Sequence, residues 1–244
     1  MRDRLLALPS ERVHLAAMLC LTFVTGIVDA VGYLGLDRVF TGNMTGNVVI
    51  LGMGLIGADD LPVLGPSLAL VGFLIGAAVA GRVLWRSPGV WNTRMTALFA
   101  VVSVVLAALG VLLLARGGEP DRLVALVVST TLGAVMGLQA ATARFLGVKD
   151  VTTVVVTSTI TGLAADSLLG SGAGAGSVRR LTAVLCIFLG AVAGAALLLI
   201  DLGIALIVAG VLALAPTLLG DRHHRLSRPD RGDQPASCLI ASGV

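Results

Sequence analysis

The sequence predicts an all-α, polytopic membrane protein: six crossing helices, two re-entrant half-helices (up to eight apolar segments) and an inverted two-fold internal repeat. Three observations carry this expectation. Charged residues make up 13% of the chain against 57% hydrophobic, with mean hydropathy +0.99, whereas soluble domains carry about 25% charge. Apolar runs of membrane length recur between residues 13 and 219, divided by short polar breaks. Of the 17 basic residues all but Lys149 are Arg, and almost all flank those runs, as topogenic charge does. That placement, and the lack of a basic patch interleaved with aromatics, sets nucleic-acid binding aside.

Residues 1–12 read as a polar cytoplasmic leader. The run 13–36 is too long for a signal-peptide core, contains Asp29 and precedes no polar mature chain, so it reads as a retained helix. Asp37-Arg38 and a Thr/Gly/Asn cluster follow, then an apolar run to Gly57 and a loop at Asp59, Asp60 and Pro62. Residues 63–84 form a strong span with Gly72-x-x-x-Gly76, a spacing that lets helices approach closely. Trp85 and Trp91 bracket the next loop among Arg82, Arg86 and Arg94, where a membrane-interface belt would place them. The span 95–115 ends in the central linker 116–122. Residues 123–146 carry Gln139, and 152–169 are rich in Thr and hold Asp166. Arg179-Arg180 precede residues 181–219, long enough for two helices with a turn at Asp201-Leu-Gly203. Residues 221–244, rich in Arg, Asp and Pro, read as a disordered cytoplasmic tail. The plan is one membrane domain over 13–220, with repeat one at 13–115 and repeat two at 123–219.

The repeat rests on two matches. At a shift of 112, Tyr33-Leu-Gly-Leu-x-x-Val-x-Thr41-x-x-x-Thr45 lies on Phe145-Leu-Gly-Val-x-x-Val-x-Thr153-x-x-x-Thr157. At a shift of 114, Leu74-Ile-Gly76-Ala lies on Phe188-Leu-Gly190-Ala. Basic-residue placement then counts the crossings. Eight crossings divide Lys and Arg 11 inside to 6 outside. If the segments after Asp37-Arg38 and after Lys149-Asp150 enter and leave on one face, six helices cross and the division is 14 to 3. Three crossings per half make the halves inverted, a plan recurrent in secondary transporters, whose sites lie at interrupted helices.

Gly26-x-x-Asp29-Ala-x-x-Tyr33-Leu, then Val39-Phe40, then Asn43-Met-Thr45-Gly46-Asn47 resembles the signature of the YoaK-like family of bacterial membrane proteins, domain of unknown function 1275. The stretch Met136-Gly-Leu-Gln139 with Thr152-Thr153 and Thr157 to Thr161 is similar to that family as well, although Thr157-Ser-Thr stands where a Thr-Gly pair is expected. The likeness spans most of residues 13–219. It implies a protein of the bacterial inner membrane and no established reaction.

The candidate binding residues are Asp29, Tyr33, Thr41, Asn43, Thr45, Asn47, Gln139, Thr153 and Thr157. A carboxylate inside an apolar segment is seldom idle; Asp29 is expected to bind a proton or a cation, with Tyr33 one turn on and able to share its face. The alternative is a structural Asp capping the backbone at the break. Asn43, Thr45 and Asn47 suit coordination or helix capping. Gln139, Thr153 and Thr157 suit an opposite wall, or backbone satisfaction and helix gluing. Cys20, Cys186 and Cys238 are scattered, and no metal spacing, catalytic constellation or phosphate loop is present. The expectation is a non-enzyme without metal or cofactor: a small secondary transporter or permease in the inner membrane, both termini cytoplasmic, moving a small solute with proton or cation coupling. A non-transporting scaffold is the competing class, and a homodimer is compatible with either.

Overall fold

The computed structural model describes residues 9–87, 89–117, 119–148, 156–167 and 176–226. Among them the chain forms α1 (Ser10–Gly35), α2 (Met44–Gly54), a 3-10 turn (Ala58–Asp60), α3 (Leu64–Leu84), α4 (Thr93–Arg116), α5 (Arg122–Leu146), α6 (Val156–Ala165), α7 (Ser177–Leu198) and α8 (Leu202–Leu226). Six helices of 21 to 26 residues are long and apolar enough to cross a membrane. At about 1.5 Å per residue they exceed the roughly 30 Å hydrocarbon core, whereas α2 and α6, of 11 and 10 residues, reach only about half of it. The outward faces are apolar too: Leu74 and Ile75 on α3, Val101 and Val104 on α4, and Phe188 and Leu189 on α7 are all exposed. Such a surface suits lipid, not water.

Short polar side chains set the helix starts. The Asn92 carboxamide oxygen accepts from Arg94 N and Met95 N at 3.0 and 3.1 Å. Asp121 accepts from Val124 N at 2.9 Å, and Asp201 from Gly203 N at 2.6 Å. Each satisfies donors that a helix N-terminus leaves open. Asp201 thereby fixes the break expected between residues 181 and 219. At its far end α8 runs past the tail boundary expected at Gly220 to Leu226. Along residues 221–226 Asp221 pairs with Arg225 one turn on at 2.7 Å and accepts from Thr96 Oγ1. The rest of the expected tail, 227–244, lies outside the described residues.

Glycines decide which helices meet and in which direction. On α3 and α5, Gly72 abuts Thr130, Gly76 abuts Ala134, Gly133 abuts Ala69 and Gly137 abuts Phe73, so closely that a Cβ would strike backbone. Numbers rise together along both helices, so α3 and α5 run parallel. Gly26 against Ile187, Gly190 against Phe23 and Gly194 against Ile27 make α1 and α7 parallel in the same way. Gly110 against Ile207, and Gly203 against Leu114, make α4 and α8 antiparallel. These three pairs are the main seams of the fold, with α1 also packed on α8.

The directions fix the crossings. Were α6 a full span, α4 and α8 would be parallel; were α2 one as well, that conflict would remain. Only with both short helices re-entrant do all three seams run as observed. One face then gathers the start of α1, the ends of α3, α5 and α8, and the starts of α4 and α7. There His14 stacks on Trp91 with centroids 5.9 Å apart, Gly220 packs on Trp91, and Glu11 pairs with Arg179 at 2.8 Å. Among the described residues this face holds Arg12, Arg82, Arg86, Arg94, Arg144, Arg179, Arg180, Arg222 and Arg225, against Arg38, Arg116 and Arg122 opposite. The helix α2 hangs from the Arg-poor face, where Arg38 and Asp59 approach to 3.4 Å. The helix α6 lies at the Arg-rich one, where Arg180 in the first turn of α7 binds Asp166 and the carbonyl of Gly162.

Candidate functional site

The site forms where the chain leaves α1 and turns back into the protein. Beyond Gly35, Asp37 and Arg38 adopt left-handed backbone at φ 59° and 56°, a conformation that non-glycine residues hold only when the surroundings enforce it. The returning segment crosses α1 directly at Gly32, where the carbonyl of Val39 occupies the space a Cβ would need. It descends to Asp29, six residues before the end of α1, or about 9 Å in by helix rise. There the backbone N–H groups of Thr41, Gly42 and Asn43 all donate to Asp29 Oδ1, at 3.0, 2.7 and 3.3 Å. The Thr41 hydroxyl adds a fourth contact at 3.4 Å. Successive amides converging ahead of a helix N-terminus form an anion-binding concavity. Here the anion is the protein's own carboxylate.

From that point α2 climbs back. Asn43 caps it, its Oδ1 accepting from Gly46 N at 3.2 Å. Asn47, one turn in, is buried and engages the backbone of Phe40 both ways: Phe40 N–H donates to Oδ1 at 2.8 Å, and Nδ2 donates to the Phe40 carbonyl at 2.5 Å. The Phe40 ring covers Gly46 and stacks on Tyr33 at 4.8 Å between centroids. The loop is thus pinned at its tip by Asp29 and on its flank by Asn47.

A second wall comes from α5. Gln139 is 0% exposed, and its Nε2 donates to Thr25 Oγ1 at 3.0 Å. The Thr25 hydroxyl already donates to Leu21 O at 2.9 Å, so it must accept from the amide, which fixes the amide's orientation. Gln139 Oε1 is left buried with no donor among the described residues. Thr25 and Met136 close on Gly42, within about a carbon's contact of where a side chain there would begin. Asp29, 9% exposed, has all its donors on Oδ1 and none, among the described residues, on Oδ2.

The structure therefore brings Asp29, Thr41 and Gln139 of the expected set together, with Thr25 as the link between them. Thr25 carried a usable signal: Thr22, Thr25 and Asp29 recur at helical spacing on one face. Other candidates stand elsewhere. Tyr33 shares the turn but its ring, 38% exposed, stacks on Phe40, and its hydroxyl makes no bond to Asp29. Asn43 is an exposed cap, Thr45 is exposed, and the amide of Asn47 is taken up by Phe40. Thr157 is exposed on α6, which packs only on α7 among the described elements, so it builds no wall opposite Asp29. Thr153 lies outside the described residues.

A cavity of about 860 Å³ opens at the Arg-poor face between the ends of α1, α4 and α7 and the starts of α3, α5 and α8. Leu36, Leu126, Leu198 and Leu202 line it, with Asp37, Glu119, Arg122 and Asp201 among its polar groups. Val39, also in its lining, belongs to the segment that descends to Asp29.

A family model described as "Protein of unknown function (DUF1275)" matches residues 17–219. The chain belongs to the DUF1275 family. It is also similar to the UPF0700 transmembrane protein YoaK of Bacillus subtilis strain 168, 33% identical over 156 residues, which are 64% of this chain and 67% of that protein. No solved structure matches. With six membrane-length helices, this DUF1275 member is a multi-pass integral membrane protein. Both motifs of the expected resemblance fall within the matched region.

Proposed function

We propose that this DUF1275 protein is a small secondary transporter or permease of the inner membrane, with both termini cytoplasmic, moving a small solute with proton or cation coupling. The observation that carries the reading is a vestibule of about 860 Å³ above a re-entrant loop whose tip rests on a buried carboxylate. Non-helical backbone at that depth persists in membranes where it is buried in protein or lines a wet path. Nothing about the site calls for bond-breaking chemistry, so the proposed role is movement of an unaltered solute.

An inverted repeat fits the same reading. Exchange the halves, and the α1–α7 seam becomes the α3–α5 seam, both parallel, while α4–α8 maps on itself. Gly76 meets Ala134, and Gly190, its counterpart at a shift of 114, meets Phe23. The re-entrant helices then sit at opposite faces, as inverted halves require. Thr41 and Thr45 have counterparts at a shift of 112 in Thr153 and Thr157, whereas Asp29 falls on Ala141 and has no acidic counterpart.

The scaffold reading is favoured by one observation, the saturation of Asn47 by Phe40. Two measurements separate the readings. Purified protein is screened for solutes that raise its melting temperature, since a ligand at 100 times its Kd stabilises by about 2.7 kcal/mol; solutes that do so are assayed for uptake into proteoliposomes. The transporter reading expects uptake that falls in Asp29→Asn. It is abandoned if no solute shifts the parent, or if uptake matches empty liposomes. Sedimentation of the purified protein tests the proposed homodimer.

A further inference from the structure

We propose that Asp29 binds one proton on Oδ2 and shares it with Gln139 Oε1, and that this proton loosens the tip of the re-entrant loop on α1, while Val39 N–H keeps its bond to the Gly32 carbonyl at 3.3 Å. The inference deepens the transporter reading, on which it rests, by naming the coupling ion and the element it moves. Two oxygens in this region lack donors among the described residues: Asp29 Oδ2, and Gln139 Oε1, which is fully buried. A hard cation needs some six oxygen ligands, more than this pair supplies. A proton needs one oxygen to bind and one to accept, and an ionised acid becomes a donor when it takes one. The orientation of Gln139 is not free, because Thr25 must accept from its Nε2.

No charged group competes. Among the described residues only hydrogen bonds and burial act on Asp29. Along α1, Tyr33 is turned onto Phe40. In the loop, Asp37 and Arg38 are exposed. The α5 helix presents Met136 and Gln139, neither titratable, and α2 presents Asn43 and Asn47. The α7 groups facing α1 are Cys186, beside Cys20, and Arg179, paired with Glu11 in the first turn of α1, both more than two turns below Asp29. The α8 helix meets α1 through Leu202 and Leu212 and, about four turns below Asp29, through His223 beside His14, while Asp201 before it caps α8.

The coupling follows from Oδ1. While Asp29 is ionised, that oxygen holds three amides and a hydroxyl, and hydrogen bonds to an ionised acceptor are roughly twice as strong as neutral ones. A proton on Oδ2 leaves Oδ1 a neutral carbonyl facing the same four donors. The grip on Thr41–Asn43 weakens, while Asn47 keeps the loop's flank attached to α2.

The experiment uses the full chain, purified without solute. Amide exchange of Thr41, Gly42 and Asn43 is compared between the parent and Asp29→Asn, whose amide imitates the protonated acid. Taking the ratio at each pH cancels the intrinsic pH dependence of exchange. The parent is expected to exchange about tenfold more slowly than the variant at high pH and to converge on it at low pH. Infrared difference spectra of the parent should gain a carboxylic-acid band over the same interval. In Gln139→Leu, which removes the acceptor, the proton should be held about tenfold more weakly. A ratio that is constant with pH, or a carboxylic band unaffected by Gln139→Leu, overturns the proposal. The band titration uses variants that leave Asp29 in place, so it decides even if Asp29→Asn fails to fold. Because no solute is present, failure here is distinct from failure to find a transported solute.

Discussion

At the scale of single residues, the loop depends on side chains that bind backbone. Asn47 serves both the N–H and the C=O of Phe40, and leaving buried groups unpaired costs about 1–3 kcal/mol each. Asn47→Ala is therefore expected to lower the unfolding midpoint clearly, by loss of structure and not of a ligand contact; an unchanged midpoint would refute that role. Thr25→Val should cost about 1–3 kcal/mol by orphaning Gln139 Nε2, with Thr25→Ser close to the parent; equal losses in both would mean the hydroxyl is immaterial. Asp29 was legible in the sequence because a carboxylate in an apolar run stands out. Its partners were not. They are backbone amides 12 to 14 residues on, and residue identity does not show where a chain returns. The choice between coordination and a structural role for Asn47 stayed open in the sequence for a related reason. A side chain one turn into α2 points back to the segment that enters it.

At the scale of elements, glycines mark the seams and the free faces differently. At Gly76 an added Cβ would strike the backbone of Ala134, whereas at Gly52 on α2 it meets open space. Gly76→Val should abolish a stable α3–α5 pair, seen as loss of monodisperse protein after extraction. Gly52→Ala should be neutral or stabilise by up to about 1 kcal/mol, since glycine is the poorer helix former. Equal tolerance at the two sites would contradict the seam. Gly72-x-x-x-Gly76 was readable as a close-approach motif, but its partner on α5 was not. The depth of α2 was also open at the sequence level, because residues 48–57 are apolar enough for a full span. Helix length and the direction of distant seams resolve it.

For the whole molecule, alternation of helix direction ties everything together. Fold class, six crossings and the gathering of Arg on one face were legible from hydropathy and charge, which act through the membrane and need no tertiary detail. The vestibule was not, since it is built from six helix ends far apart in sequence. The central claim is that α2 enters and leaves by the Arg-poor face, putting its two flanks, Asp37 and Asp59, on one side and Ser87 on the other. Single cysteines at these positions, in a background with Cys20, Cys186 and Cys238 replaced, can be labelled on intact cells by a membrane-impermeant maleimide. Labelling of Asp37→Cys and Asp59→Cys from outside, with Ser87→Cys labelled only after permeabilisation, is the expected result. Labelling of Asp37→Cys from outside while Asp59→Cys is labelled only after permeabilisation would mean that α2 crosses, and would contradict the account.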